Sequence, residues 1–143
     1  MSVSREITDL TNNTQIKAKA FIGACKACGI DVLIYCTYRS NKDQAELYAQ
    51  GRTRPGKIVT WSKPGESWHE YRVAFDAVPI VDGKAIFNPT TKLEKTLIAT
   101  MGSCGEKVGL VWGGRWAQKT DSFHFQNNQG KTISQVLSGV KLE

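Results

Sequence analysis

The run Val73–Val81 ends directly on Asp82-Gly83. Both turn residues tolerate positive φ, which the favoured two-residue hairpins require. Strands joined by so short a turn pair antiparallel, so the chain must build an antiparallel sheet. Lys84–Phe87 is the expected return strand. On either side the pattern changes to helical spacing. Ile16, Ala20, Phe21, Ala24 and Cys28 recur as one helix face, with Asn13 or Thr14 as cap and Gly29 as the stop. Val32–Tyr38 is β-branched and aromatic and reads as a strand.

Ser40 is the expected cap of a second helix, with Asp43 three residues on, carrying Ala45, Leu47 and Tyr48 and stopping near Gly51. Residues 51–66 hold three glycines and two prolines and read as a long loop. Thr91 to about Val108 is an amphipathic helix with Leu93, Leu97, Ile98, Met101 and Cys104 on one side. Leu110–Trp112 and Phe123–Gln126 are short strands, and Thr132–Leu137 a short helix. No repeat or linker divides the chain. These elements predict an α+β fold: a single domain over 1–143, with a small antiparallel sheet and flanking helices. Leu142-Glu143 reads as a cloning scar and is set aside.

Composition narrows the setting. A chain of 143 residues that is 41% hydrophobic can bury a core without a structural metal or disulfides. The N-terminal stretch MSVSREITDLTNNTQ lacks the apolar segment of a secretory leader, and no run approaches the roughly 18 apolar residues of a membrane helix. Synthesis in a cytoplasm, with no membrane insertion and as a monomer, is the expectation. The net charge of +6 favours polyanionic partners, nucleic acid or a bacterial envelope, without choosing between them. Of the four cysteines, Cys25 and Cys28 form a CxxC, but in an apolar helical stretch with no second CxxC; they read as buried small hydrophobes.

The chemistry centres on the only two histidines. His69 is followed seven positions later by Asp76, and Asp121 precedes His124 by three. Two imidazoles and one carboxylate meet the needs of a hydrolytic zinc, which keeps three protein ligands and an open fourth position. A further carboxylate must then move protons, and Asp121 is the candidate. Histidines are more often plain surface or core residues, so residue types alone do not carry the claim. Spacing also objects: seven residues along a flat strand put His69 and Asp76 on opposite faces. They can share a metal if His69 lies in the approach to the strand or a bulge intervenes.

Four blocks in order over about residues 35–126 resemble a known family. SWHEYRVAFDAVP is similar to the SxHxxGxAxD motif of zinc peptidases related to D-alanyl-D-alanine carboxypeptidases, matching at Ser67, His69, Ala74 and Asp76. DSFHFQ resembles the second motif; YRSNKDQAELYAQGRT resembles the upstream block; VGLVWGGRW resembles the Gly-Trp stretch before the last ligand. The family's glycine is Arg72 here. The resemblance implies one zinc ion at the sheet on His69, Asp76 and His124, with Asp121 as general base and acid. It places Arg39 at the substrate end of its strand, suited to a peptide carboxylate or an oxyanion. Ser67 is expected to bind substrate or cap its turn, and Gln44 to support Arg39 or face solvent. Trp116, beside Trp112 in a rim loop, is a candidate cleft wall, whereas Trp112 reads as core.

The implied activity is that of bacteriophage endolysins which cut the L-alanyl-D-glutamate bond of peptidoglycan. Such an enzyme, made in the host cytoplasm, acts on the wall once the membrane is permeabilised. A D-alanyl-D-alanine carboxypeptidase is the nearest alternative. A nucleic-acid-binding module, resting on the basic aromatic loop 52–63, is the alternative of another class; it leaves the histidine motifs unexplained.

Overall fold

A computed structural model describes residues 3–143; Met1 and Ser2, where the N-terminal stretch read for a leader begins, lie outside the described residues. Thr11, rather than Asn13 or Thr14, caps the first helix, α1 (Asn12–Ala27), by accepting from the Thr14 N–H. The buried face of α1 is Thr14, Ala18, Phe21 and Cys25, so Ile16 and Cys28 are exposed rather than buried. β1 (Asp31–Cys36) follows, then α2 (Asn41–Ala49), capped by Ser40 as its sequence predicts. No regular helix or strand interrupts the loop from 51 to 66.

A short 3-10 helix (Trp68–Tyr71) leads into β2 (Ala74–Val81). Asp82 and Gly83 adopt positive φ of 51° and 77° and turn the chain into β3 (Lys84–Ala85), shorter than the expected return strand. α3 (Lys92–Lys107) starts at a capping box in which Thr91 and Glu94 satisfy each other's backbone N–H groups. β4 (Val111–Trp112), β5 (His124–Gln126) and α4 (Ile133–Leu137) complete the chain.

The sheet is antiparallel throughout, in the order β1-β2-β5-β4, with β3 on the far end of β2. β2 is central, and its first six residues are all buried. It is therefore covered on both faces, unlike a half-solvated strand. Residue alternation gives the two faces different work. Phe75 of β2 and Phe125 of β5 are register partners, stacked with centroids 5.5 Å apart, and both rings meet Phe21 of α1. That face joins Ile98, Met101 and Cys104 of α3 in the main core. The next pair in register, Asp76 and His124, necessarily points to the opposite face.

Two glycines let α3 approach the sheet. A Cβ on Gly102 would lie 2.2 Å from the Trp112 ring, and one on Gly105 would lie 2.4 Å from the Phe125 ring. The burying side of α3 is thus Ile98, Met101, Gly102, Cys104 and Gly105, while Leu93 is exposed.

Candidate metal centre and active-site cleft

His69 belongs to the 3-10 helix before β2, which removes the parity objection. That helix is fixed by a capping box: Ser67 Oγ accepts from the His69 N–H, and Glu70 accepts from the Ser67 N–H. It ends at Arg72, whose φ of 64° and ψ of 29° are left-handed. Glycine is favoured at such a position because a Cβ is disfavoured there. Arg72 does not line the cleft. Its guanidinium lies 3.9 Å from the Tyr38 ring centroid and donates to the Asp9 carbonyl at 3.0 Å.

The two imidazoles have fixed tautomers. His69 Nδ1 lies 2.8 Å from the Thr37 carbonyl oxygen, which can only accept, so Nδ1 carries the proton and Nε2 faces inward. His124 Nε2 lies 2.8 Å from Gln126 Oε1, two residues along on the same strand face, which turns Nδ1 inward. Both inward nitrogens lie 3.3 Å from Asp76 Oδ1. Asp76 Oδ1 is buried and has no hydrogen-bond partner among the described residues. Among the described residues the possible ligands form two groups, Cys36–His69–Asp76 and Asp76–Asp121–His124, with Asp76 common to both; two imidazole nitrogens facing one buried carboxylate oxygen suit a cation held beside it. Two nitrogens and one carboxylate are the donor set of a hydrolytic zinc site, so the residues present fit the metal that the sequence implies. Outer partners on each imidazole are the usual means of orienting metal ligands.

With no metal bound, a proton on His69 takes the cation's place. Burial pulls His69 down, but the Asp76 carboxylate more than reverses it and pushes the imidazole up to about 10. Burial opposes the Asp76 charge, yet His69 and His124 hold its carboxyl well below the usual carboxylate range. Asp121 stands at the exposed edge of the same group, its carboxylate oxygen within 4.8 Å of the Asp76 and His124 ligand atoms. Loss of solvent and then the Asp76 charge raise its pKa, as suits a proton carrier. Its backbone is positioned by Gly113, whose carbonyl accepts the Asp121 N–H at 3.1 Å; a Cβ on Gly113 would lie 2.3 Å from the Asp121 oxygen.

Arg39 reaches the site from the segment after β1. One Nη lies 3.9 Å from Asp76 Oδ2, the other donates to Gln44 Oε1 at 2.9 Å, and Nε is a buried donor with no partner. Gln44 is fully buried, and its amide nitrogen is engaged by Thr60 and by the Ser62 carbonyl. Of the two expected roles it therefore takes the support of Arg39, and of the long loop, rather than facing solvent; enclosed in this way it is not positioned to bind substrate directly. Ser67 lines the cleft, but its oxygen is engaged in capping. Trp116 stands beside His124 with ring centroids 5.4 Å apart. Trp112 is core, its indole N–H bound to the Ser122 carbonyl.

The site residues, Gln44 and Trp112 excepted, line a cleft of about 740 Å3 together with Tyr35, Trp61, Trp68 and Lys119. Tyr35 and Cys36 were not singled out for the site from sequence. A bulge at Tyr35 shifts the β1–β2 register between Ile34 and Cys36 and turns neighbouring side chains toward the site. The Cys36 thiol lies 3.6 Å from His69 Nδ1 and 3.5 Å from Arg39. No sequence signal marks such a bulge, whereas Gln126, two positions after His124 on a strand, was there to be read.

Fold and site together define a metallohydrolase-like centre on an antiparallel sheet. Residues 60–127 match the family model described as D-alanyl-D-alanine carboxypeptidase. The chain is 36% identical over 126 residues to the peptidoglycan L-alanyl-D-glutamate endopeptidase CwlK of Bacillus subtilis strain 168, covering 83% of this chain and 74% of that protein. The chain belongs to this D-alanyl-D-alanine carboxypeptidase-like family of peptidases. Among solved structures, the L-Ala D-Glu endopeptidase ChiX of Serratia marcescens aligns at TM-score 0.62 and 17% identity, covering 90% of each chain. A vancomycin-resistance D,D-pentapeptidase, VanY, in complex with Zn(II), aligns at TM-score 0.61 and 14% identity over 90% of this chain and 83% of its own. These two likenesses establish the α+β fold.

Proposed function

We propose that the chain is a zinc-dependent peptidoglycan peptidase that hydrolyses the L-alanyl-D-glutamate bond of stem peptides. The observation that carries this reading is that His69 Nε2 and His124 Nδ1 each lie 3.3 Å from Asp76 Oδ1 at a cleft that also holds Asp121 and Arg39. The identity to CwlK supports the wall substrate and the bond. One zinc ion, held by His69, Asp76 and His124, supplies Lewis-acid polarisation of the scissile carbonyl and a lowered pKa for water. Asp121 takes a proton from the attacking water at its carboxylate and returns it to the leaving amine. Arg39, held by Gln44 and Asp76, offers its unpartnered Nε and its charge to a substrate carboxylate or to the developing oxyanion. Trp116 walls the cleft beside His124 and, with Ser67, contacts the stem peptide.

The blocks shared with phage endolysins extend the proposal to host lysis by a monomer. In that setting the enzyme is made in the host cytoplasm and meets the wall after the membrane is permeabilised. The family description keeps a second reading in view, removal of terminal D-alanine by the same machinery. Mass spectrometry of digested Gram-negative peptidoglycan, with chelator and with zinc restored, separates the two. New L-alanine and D-glutamate termini that require the metal are expected; metal-dependent release of D-alanine instead would overturn the bond assignment.

A further inference from the structure

The CxxC of α1 acquires a third thiol that its sequence does not announce. Cys104 Sγ, from α3, lies 4.0 Å from Cys28 Sγ at the end of α1. Cys28 is exposed, Cys104 is 5% exposed and Cys25 fully buried. None of the three lines the catalytic cleft. The two sulfurs are in van der Waals contact on helices packed against each other, about 2 Å beyond the bond length of a disulfide.

We propose that Cys28 and Cys104 are a disulfide-forming pair that cross-links α1 to α3 when the protein meets a disulfide oxidant. The exposed Cys28 thiolate attacks one sulfur of the oxidant, forming a mixed disulfide and releasing one thiol. The Cys104 thiolate then attacks the Cys28 sulfur, closing the protein disulfide and releasing the second thiol. The protein loses two protons and two electrons, and the oxidant gains both. Cys25 stays reduced: it has no exposed surface, and burial pushes its thiol up to about 12. Because thiols stay reduced in a cytoplasm and oxidise outside it, the pair is open where the chain is made and closes in an oxidising envelope. The cross-link itself does not depend on the catalytic reading; its closing in an envelope rests on the proposed wall substrate.

The test uses the full chain, oxidised glutathione as the probe, and intact mass with a non-reducing peptide map. The expected result is a mass lower by two hydrogens and a peptide joining Cys28 to Cys104. The link should raise Tm by about 5 °C or more, because it constrains a long segment of unfolded chain. Reductant should reverse the rise, and Cys28→Ser, at an exposed position, should abolish both signals while leaving the fold intact. A glutathione adduct that persists on Cys28, a link from Cys25 to either Cys28 or Cys104, or an unchanged mass would each overturn the proposal.

Discussion

Arg72 holds a left-handed backbone that glycine adopts without strain, and offsets that strain with its stack on Tyr38 and its bond to Asp9. Arg72→Ala keeps the strain and loses both contacts, whereas Arg72→Gly removes the strain. Thermal melts should therefore find the alanine variant less stable than the glycine variant by about 1 kcal/mol; equal stabilities would contradict this account. The motif's expected glycine told of the backbone conformation, but the arginine's partners are remote in sequence and could not be read there. Gln44 illustrates the same limit. Its helix position was legible, but its complete burial depends on the loop folding over it. Gln44→Ala should lower kcat/KM by about tenfold or more through a mobile Arg39 while zinc content stays unchanged. Loss of zinc from this variant would place Gln44 in the metal site instead.

The elements explain why their boundaries were easier to read than their faces. Caps and breakers are local: Ser40, Thr91, Thr132 and the Asp82-Gly83 turn all act where the sequence puts them. The inward face of α3 was read correctly at Ile98, Met101 and Cys104 but not completely: two of its contact residues are glycines, which carry no hydrophobic signal, and Leu93 faces solvent. That reading fixes the sign of a mutation. Alanine for glycine inside an exposed helix stabilises by about 1 kcal/mol. At Gly102 the added methyl meets the Trp112 ring, so Gly102→Ala should destabilise by about 1–3 kcal/mol in denaturant unfolding. A more stable variant would show that α3 does not pack as described. The bulge at Tyr35 was the least legible feature, since it arises from pairing with β2 rather than from any residue of β1.

At the scale of the whole molecule, the metal centre ties together the 3-10 helix, β2 and β5, three separate stretches that only the assembled sheet brings into register. The candidate ligands were legible in the sequence; bringing His69 and His124 to the same Asp76 oxygen needed the 3-10 helix that carries His69 off the strand. The same centre sets the pH behaviour of the metal-free protein. His69 is raised to about 10 in the fold, so its contribution is complete below the ordinary 6.5 and is lost as pH rises through about 10. Asp76 is lowered, so its contribution is present above the ordinary 3.8 and is lost as pH falls below it. Chelated protein should therefore be most stable between 3.8 and 6.5, and a melt series whose Tm climbs steadily up to pH 10 would contradict the pairing.

The most direct test compares zinc content and wall hydrolysis in dialysed wild-type, Asp121→Ala and His124→Ala proteins. The account predicts one zinc per wild-type chain. Asp121→Ala should keep its zinc and lose hydrolysis by about 100-fold or more, whereas His124→Ala should lose both. Stoichiometric tight zinc in His124→Ala, or near wild-type turnover in Asp121→Ala, would contradict it.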